Sequence, residues 1–176
     1  MALDKWLTGE DKVFVFDIDG VLIDVGEKVK AVLKELKLNE NLDPRKLDVV
    51  NRQKFWRLFL SEKYARYDKP RIIGIELLKD RLNKGKVVIV TGRPETLKQL
   101  TLEELLKWNI PIHKLTFIFR RKRDRRRDVD FKIEAIANLG NVVEVHDDAE
   151  EFLKKVKEIF PKIKLYLHFD DKFIEY

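Results

Sequence analysis

The sequence predicts an α/β fold: a parallel sheet in three layers, with helices on both faces and one small helical insertion. Three observations carry this. Short apolar runs rich in Val, Ile and Phe alternate with segments of helical periodicity, the order that a parallel sheet with crossover helices requires. Polar constellations stand at the ends of the apolar runs, where such sheets place their ligands. The 176 residues suit one domain able to bury a core, so 1–176 is read as a single unit.

The first strand is expected over 13–18 and runs into Asp17, Ile18, Asp19 and Gly20. Strand side chains alternate in direction, so Asp17 and Asp19 point the same way and share one site. Gly20 lets the backbone turn sharply beside whatever binds. Helices are expected over 27–37, 44–65 and 70–84, with Asp43 and Pro44 as N-cap and first helical residue, and Gly85 as a stop. A second strand, 87–91, leads into Thr91-Gly92-Arg93-Pro94. A hydroxyl, a flexible backbone and a guanidinium at a strand-to-helix turn suit a phosphoryl group. A helix over 95–108 and a strand over 115–119 follow. Asp128-Val129-Asp130-Phe131-Lys132 opens a helix over 129–138, whose candidate cation is Lys132 and whose stop is Gly140. The strand 142–147 ends in a second acidic pair, Asp147-Asp148, before a helix over 149–159 and a strand over 163–169.

Taken in this order, the four constellations resemble the motifs of the haloacid dehalogenase superfamily of phosphohydrolases, and the match covers most of the chain. Asp17 to Val21 resembles its first motif, Thr91 the second, Lys132 the third, and Asp147 with Asp148 the fourth. The resemblance implies a Rossmann-like sheet and a cap inserted near 24–69. The second Asp of the first motif separates phosphatases from dehalogenases, so Asp19 argues against carbon–halogen chemistry.

The residue types support the same chemistry. A carboxylate that accepts a phosphoryl group divides one difficult displacement into two easier ones, which makes Asp17 the candidate nucleophile. The expelled alkoxide needs a proton and the later water must lose one. The resemblance gives that role to Asp19. Several carboxylates around a phosphate dianion demand a hard cation with oxygen ligands, and Mg2+ fits best. The resemblance implies that Asp17 and Asp147 hold it with the Asp19 backbone carbonyl, and that Asp148 sits in its inner or outer shell. Glu151, four residues after Asp147, is the alternative acid. Thr91, Gly92, Arg93 and Lys132 are the expected phosphate-binding group.

Composition narrows the setting. With no cysteine and three scattered histidines, disulfide frameworks and thiolate or zinc clusters are excluded. No apolar stretch reaches the length of a membrane span, and residues 1–11 lack a leader pattern, so a cytoplasmic protein without a membrane partner is expected. Within the insertion, Phe55, Trp56, Phe59 and Leu60 form a stripe at helical spacing that reads chiefly as packing, with a lid as the alternative. So small an insertion leaves the site open to a large substrate or to closure by a second subunit.

Arg120 to Arg127 places seven basic residues in eight positions, between a strand and the helix of Lys132. Charge runs are commonly solvated loops, but one beside a phosphate site also suits a polyanion. Arg93 and the Asp128-to-Lys132 spacing further resemble the phosphatase domain of polynucleotide kinase-phosphatases. The leading expectation is therefore a phosphomonoesterase acting on a nucleotide or nucleic-acid 3′-phosphate. Alternatives are a phosphatase of sugar or other metabolite phosphates, a non-catalytic basic module that binds RNA, and a relative using Lys28, Lys30 or Lys34 as a Schiff-base lysine.

Overall fold

A computed structural model describes residues 11–176; the stretch read for a leader pattern lies, apart from Asp11, outside the described residues. The strands are β1 (Val13–Phe16), β2 (Ile23–Asp24), β3 (Lys69–Pro70), β4 (Lys86–Pro94), β5 (Leu115–Arg120), β6 (Val142–Asp147), β7 (Lys164–Phe169) and β8 (Lys172–Glu175). The helices are α1 (Gly26–Glu35), α2 (Val49–Phe59), α3 (Ile72–Leu82), α4 (Lys98–Lys107), α5 (Asp128–Ala137) and α6 (Glu150–Ile159).

Six strands form one sheet in the order β5-β4-β1-β6-β7-β8, parallel except for β8, which returns antiparallel to β7. Alternation along the strands divides the core in two. Val13, Val15, Val88, Val90 and Val145 face α5 and α6 through Phe131, Ile136, Phe152, Leu153 and Val156. Phe14, Phe16, Val87 and Ile89 face the opposite way, onto Ile75, Leu78 and Leu105 of α3 and α4. The result is the expected three-layer α/β architecture. Chain order reverses on either side of β1, so the crevice for a ligand lies at the carboxyl ends of β1, β4 and β6.

β2 and β3 pair antiparallel, Ile23 with Pro70 and Asp24 with Lys69, so residues 25–68 leave and rejoin the chain at one point. The aromatic stripe packs within this insertion: Phe55 and Phe59 join Val32, Leu33 and Tyr64, while Trp56 stays partly exposed.

Several boundaries differ from expectation. The helix expected over 44–65 breaks into a 3-10 turn at Pro44–Lys46, α2, and a 3-10 segment at Glu62–Tyr67. Asp48 causes the first break, because its carboxylate accepts from the amides of Val50 and Asn51 and restarts the helix there. Thr91 to Pro94 do not turn into a helix; they extend β4, with a register shift between Thr91 and Pro94. The ribbon β2–β3 and the edge strand β8 had no counterpart in the sequence reading.

A buried polar chain braces the sheet. Arg71 donates to His168 Nδ1 at 2.8 Å, which fixes His168 with its proton on Nε2, facing His146 Nδ1 at 3.1 Å. His146 Nε2 then faces Glu144 at 3.1 Å, and Arg81 donates to the same carboxylate at 2.6 Å. His146 stacks on Phe16, and each ring immediately precedes an acidic site residue.

Candidate active site

The Asp17 amide donates to the His146 carbonyl at 3.0 Å and so carries the β1–β6 pairing one step beyond β1. Asp17 and Asp147 consequently emerge side by side. The amides of Val21, Leu22 and Ile23 all converge on the carbonyl of Ile18, closing a tight turn directly after Asp19. Gly20 takes φ +79° in that turn, and any Cβ there would collide with the Asp148 carboxylate.

Carboxylate oxygens of Asp17, Asp147 and Asp148 lie within 4.8 Å of one another. Lys132 Nζ reaches across from α5 to Asp147 at 2.7 Å, Asp17 at 3.0 Å and Asp128 at 3.4 Å. Burial alone would lower the Lys132 ammonium, but the carboxylates of Asp147, Asp17 and Asp128 outweigh it and hold the pKa well above the usual lysine range. Asp17 moves the other way: burial, reinforced by Asp147 and Asp148, pushes its carboxyl well up despite Lys132. Burial and the neighbouring Asp147 likewise raise Asp148 to about 6. Acids displaced upward by burial and mutual repulsion lack positive charge. Their donor set is oxygen only, so the trio fits a hard divalent cation such as Mg2+.

Arg93 holds a separate acidic group. Its Nε donates to Asp19 at 3.0 Å, and its Nη2 to Asp19 at 2.7 Å and Asp68 at 3.0 Å; its Nη1 donates to Thr101 Oγ1 and Glu104, each at 3.0 Å. Five acceptor contacts fill the five N–H bonds of a guanidinium, and the side chain is 2% exposed. Arg93 was expected to hold phosphate; in this arrangement its N–H bonds are engaged by Asp19, Asp68, Thr101 and Glu104. Burial would raise the Asp19 pKa, yet the charge and hydrogen bonds of Arg93 bring it below the usual carboxylate value.

The remaining candidates separate clearly. Thr91 is fully buried, and its hydroxyl oxygen accepts the Arg93 amide at 3.1 Å. Gly92 gives room to Asp128, whose carboxylate a Cβ would strike. Glu151 stays outside the trio, exposed and 3.3 Å from Arg127, whereas Asp148 is within it. Lys28 is buried in the insertion, 3.3 Å from Asp68 and over the Phe59 ring; Lys30 and Lys34 are exposed. In the basic run, Arg126 pairs with Asp124 and Glu134, Arg127 with Asp130 and Glu151, and Arg120 lies 4.0 Å from Asp128. Lys122, Arg123 and Arg125 line a surface hollow of about 520 Å³. The Lys122 amide donates to Glu95, one residue past the end of β4, which keeps this loop at the rim of the site. Sequence reasoning missed Asp68, Glu104, Thr101 and Arg45. Arg45, from the insertion, pairs with Asp148 at 2.8 Å.

No protein-family model and no curated protein sequence matches this chain. Its structure is similar to solved ones. A chain of the Pnkp1/Rnl/Hen1 complex superposes with TM-score 0.62 at 19% identity, over 91% of this chain and 46% of that one. A second structure, of the Pnkp1/Rnl/Hen1 RNA repair complex, gives TM-score 0.58 at 18% identity, over 93% and 46%. A haloacid dehalogenase-like hydrolase from Streptococcus pneumoniae gives 0.56 at 16% identity, over 88% and 82%. The chain thus spans less than half the length of the chains it matches in the two complexes. The fold is that of the haloacid dehalogenase-like hydrolases.

Proposed function

We propose that this protein is a magnesium-dependent phosphomonoesterase that works through an aspartyl-phosphate on Asp17. The observation that carries this reading is the convergence of Asp17, Asp147 and Asp148 within 4.8 Å, with Lys132 bridging Asp17 and Asp147.

Asp17, Asp147 and Asp148 would hold Mg2+, with the backbone carbonyl of Asp19 as a further ligand by analogy with the family. When bound, the ion keeps the three acids ionised and neutralises phosphate charge. A carboxylate oxygen of Asp17 attacks phosphorus, the bond from phosphorus to the leaving oxygen breaks, and Asp19, in the minor protonated form that Arg93 leaves at neutral pH, gives that oxygen a proton. Water then attacks the aspartyl-phosphate and passes a proton to Asp19, releasing inorganic phosphate and restoring Asp17. The Lys132 ammonium, fixed by its three carboxylates, lends positive charge to the phosphoryl group carried on Asp17, and the Thr91 hydroxyl is a donor for the transferring oxygens. Arg93 sets the orientation and charge of Asp19.

The substrate we favour is a phosphorylated nucleic-acid end. The side chains of Arg121, Lys122, Arg123 and Arg125 make no ion pair among the described residues and stand beside the strand that carries Thr91. That unbalanced charge suits a strand of phosphodiesters better than one small ester. One structural neighbour comes from an RNA repair complex, which makes such an end the first polyanion to try.

The test is phosphate release from aryl phosphate, sugar phosphates, nucleotides and a 3′-phosphorylated oligonucleotide, with and without Mg2+. Asp17→Asn is expected to retain the fold and lose about 10³-fold or more of the activity. Turnover of the oligonucleotide is expected to fall steeply with salt while aryl phosphate turnover does not. Equal activity in wild type and Asp17→Asn overturns the mechanism; a preference for sugar phosphates overturns the substrate.

A further inference from the structure

Which cation in this site is free to meet an incoming phosphate? Lys132 is 3% exposed and already held by three carboxylates. Arg93 is 2% exposed with every N–H in use. Neither can move without leaving buried acids unpaired. Arg45 differs on both counts. Its side chain is 53% exposed, and its one ion pair among the described residues is to Asp148, the outermost acid of the trio, itself 27% exposed. The backbone below it is anchored, because Asp43 caps the Pro44–Lys46 turn by accepting the Arg45 amide at 2.9 Å. A fixed base and a mobile, singly tethered guanidinium make a side chain that can change partners without the fold changing.

The chemistry of Asp148 supplies a reason for the change. A divalent cation among Asp17, Asp147 and Asp148 draws on the same carboxylate that Arg45 holds, and two cations on one acid repel. A guanidinium released there remains beside the site, with a planar fork of donors suited to phosphate oxygens. Resting on the phosphatase reading above, we infer that Arg45 is a substrate-binding residue that exchanges Asp148 for the substrate's phosphate when the metal binds. The insertion therefore contributes a phosphate ligand to a site otherwise built from the strand ends and α5, and occupancy by the metal governs its availability.

This predicts effects of opposite sign from one substitution. Titration calorimetry would measure Mg2+ binding to the whole protein, then orthovanadate and inorganic phosphate binding in saturating Mg2+. Arg45→Gln is expected to tighten Mg2+ severalfold, since the competing cation is gone, and to weaken phosphate and vanadate about tenfold, the worth of a charge-assisted hydrogen bond. Arg45→Lys should recover part of each effect. Arg57, an exposed cation of the same insertion, is the control, and Arg57→Gln should leave both affinities unchanged. The inference is overturned by unchanged affinities in Arg45→Gln, by a loss of Mg2+ affinity, or by equal shifts in Arg57→Gln. If the wild type binds neither anion in Mg2+, the phosphatase reading itself fails and the exchange with it; if it binds and Arg45→Gln binds equally, only the exchange fails.

Discussion

Arg93 grips Asp19 in a two-pronged contact, Nη2 to Oδ1 at 2.7 Å and Nε to Oδ2 at 3.0 Å, and thereby ties the end of β4 to the turn that follows β1. The same guanidinium compensates Asp68 and Glu104, both of which burial pushes up in pKa. Arg93→Gln would leave Asp19, Asp68 and Glu104 with only Lys28, 3.3 Å from Asp68, to offset them. The expected loss is about 3–5 kcal/mol, the cost of breaking a buried ion pair from one side, read from urea unfolding near neutral pH. The loss should shrink below about pH 5, where the stranded acids take up protons. A loss under about 1 kcal/mol would mean that the cluster does not brace this end of the sheet.

Metal and protons compete for one set of oxygens. Asp148 has a folded pKa of about 6 against a reference of 3.8, so without metal the folded state binds the extra proton. That contribution is full below about pH 4 and disappears as pH rises through 6, on the order of 2–3 kcal/mol. Mg2+ should reverse the trend, raising Tm more at about pH 7.5 than at about pH 5. Asp148→Asn should remove most of the difference. Equal Mg2+ shifts at both pH values would show that the ion binds elsewhere.

His168 imposes the opposite slope. Burial, together with His146 and Arg71, lowers its pKa to about 3, from a reference of 6.5. The unfolded chain takes up a proton that the native one refuses, so stability is full above about pH 6.5 and declines toward pH 3. The full term is on the order of 5 kcal/mol. A second positive charge there would face the Arg71 donor at 2.8 Å. His168→Phe should cost stability at neutral pH by stranding the Arg71 donor, while flattening the decline between pH 6 and 4. An unchanged acid slope, measured by thermal melts across that range, would remove His168 as its origin.

The sheet was legible because its strands are apolar, β-branched and bounded by charge; the expected 142–147 is the observed β6. β8 escaped because Lys172-Phe173-Ile174-Glu175 is short and charged at both ends, although Asp170 at φ +46° marks the turn before it. In the site, short-range spacing was readable for Asp128 with Lys132 and for Asp147 with Asp148, whereas Asp19, expected to share a site with Asp17, is held apart from the trio by Arg93. Contacts made only by tertiary folding were not readable. Arg93 carried the right signal for anion binding, but nothing local says that its anions are Asp19, Asp68 and Glu104. Arg45 and Asp148 are 103 residues apart, and no local pattern in either segment marks the pair.

The ribbon formed by β2 and β3 gives the chain a splice point. Since Asp24 faces Lys69 across two paired strands, everything between them can be exchanged for a graft of another length without rethreading the sheet. The donor segment would have two conditions to meet. It must end with an acid where Asp68 stands, or Arg93 loses one of its counterions. It must also present a cation over Asp148, or the rim of the pocket loses the only basic group found on that acid among the described residues. The insertion and the sheet are thus joined at two positions, Asp68 and Arg45, and a library built on this scaffold should hold both constant while varying the rest.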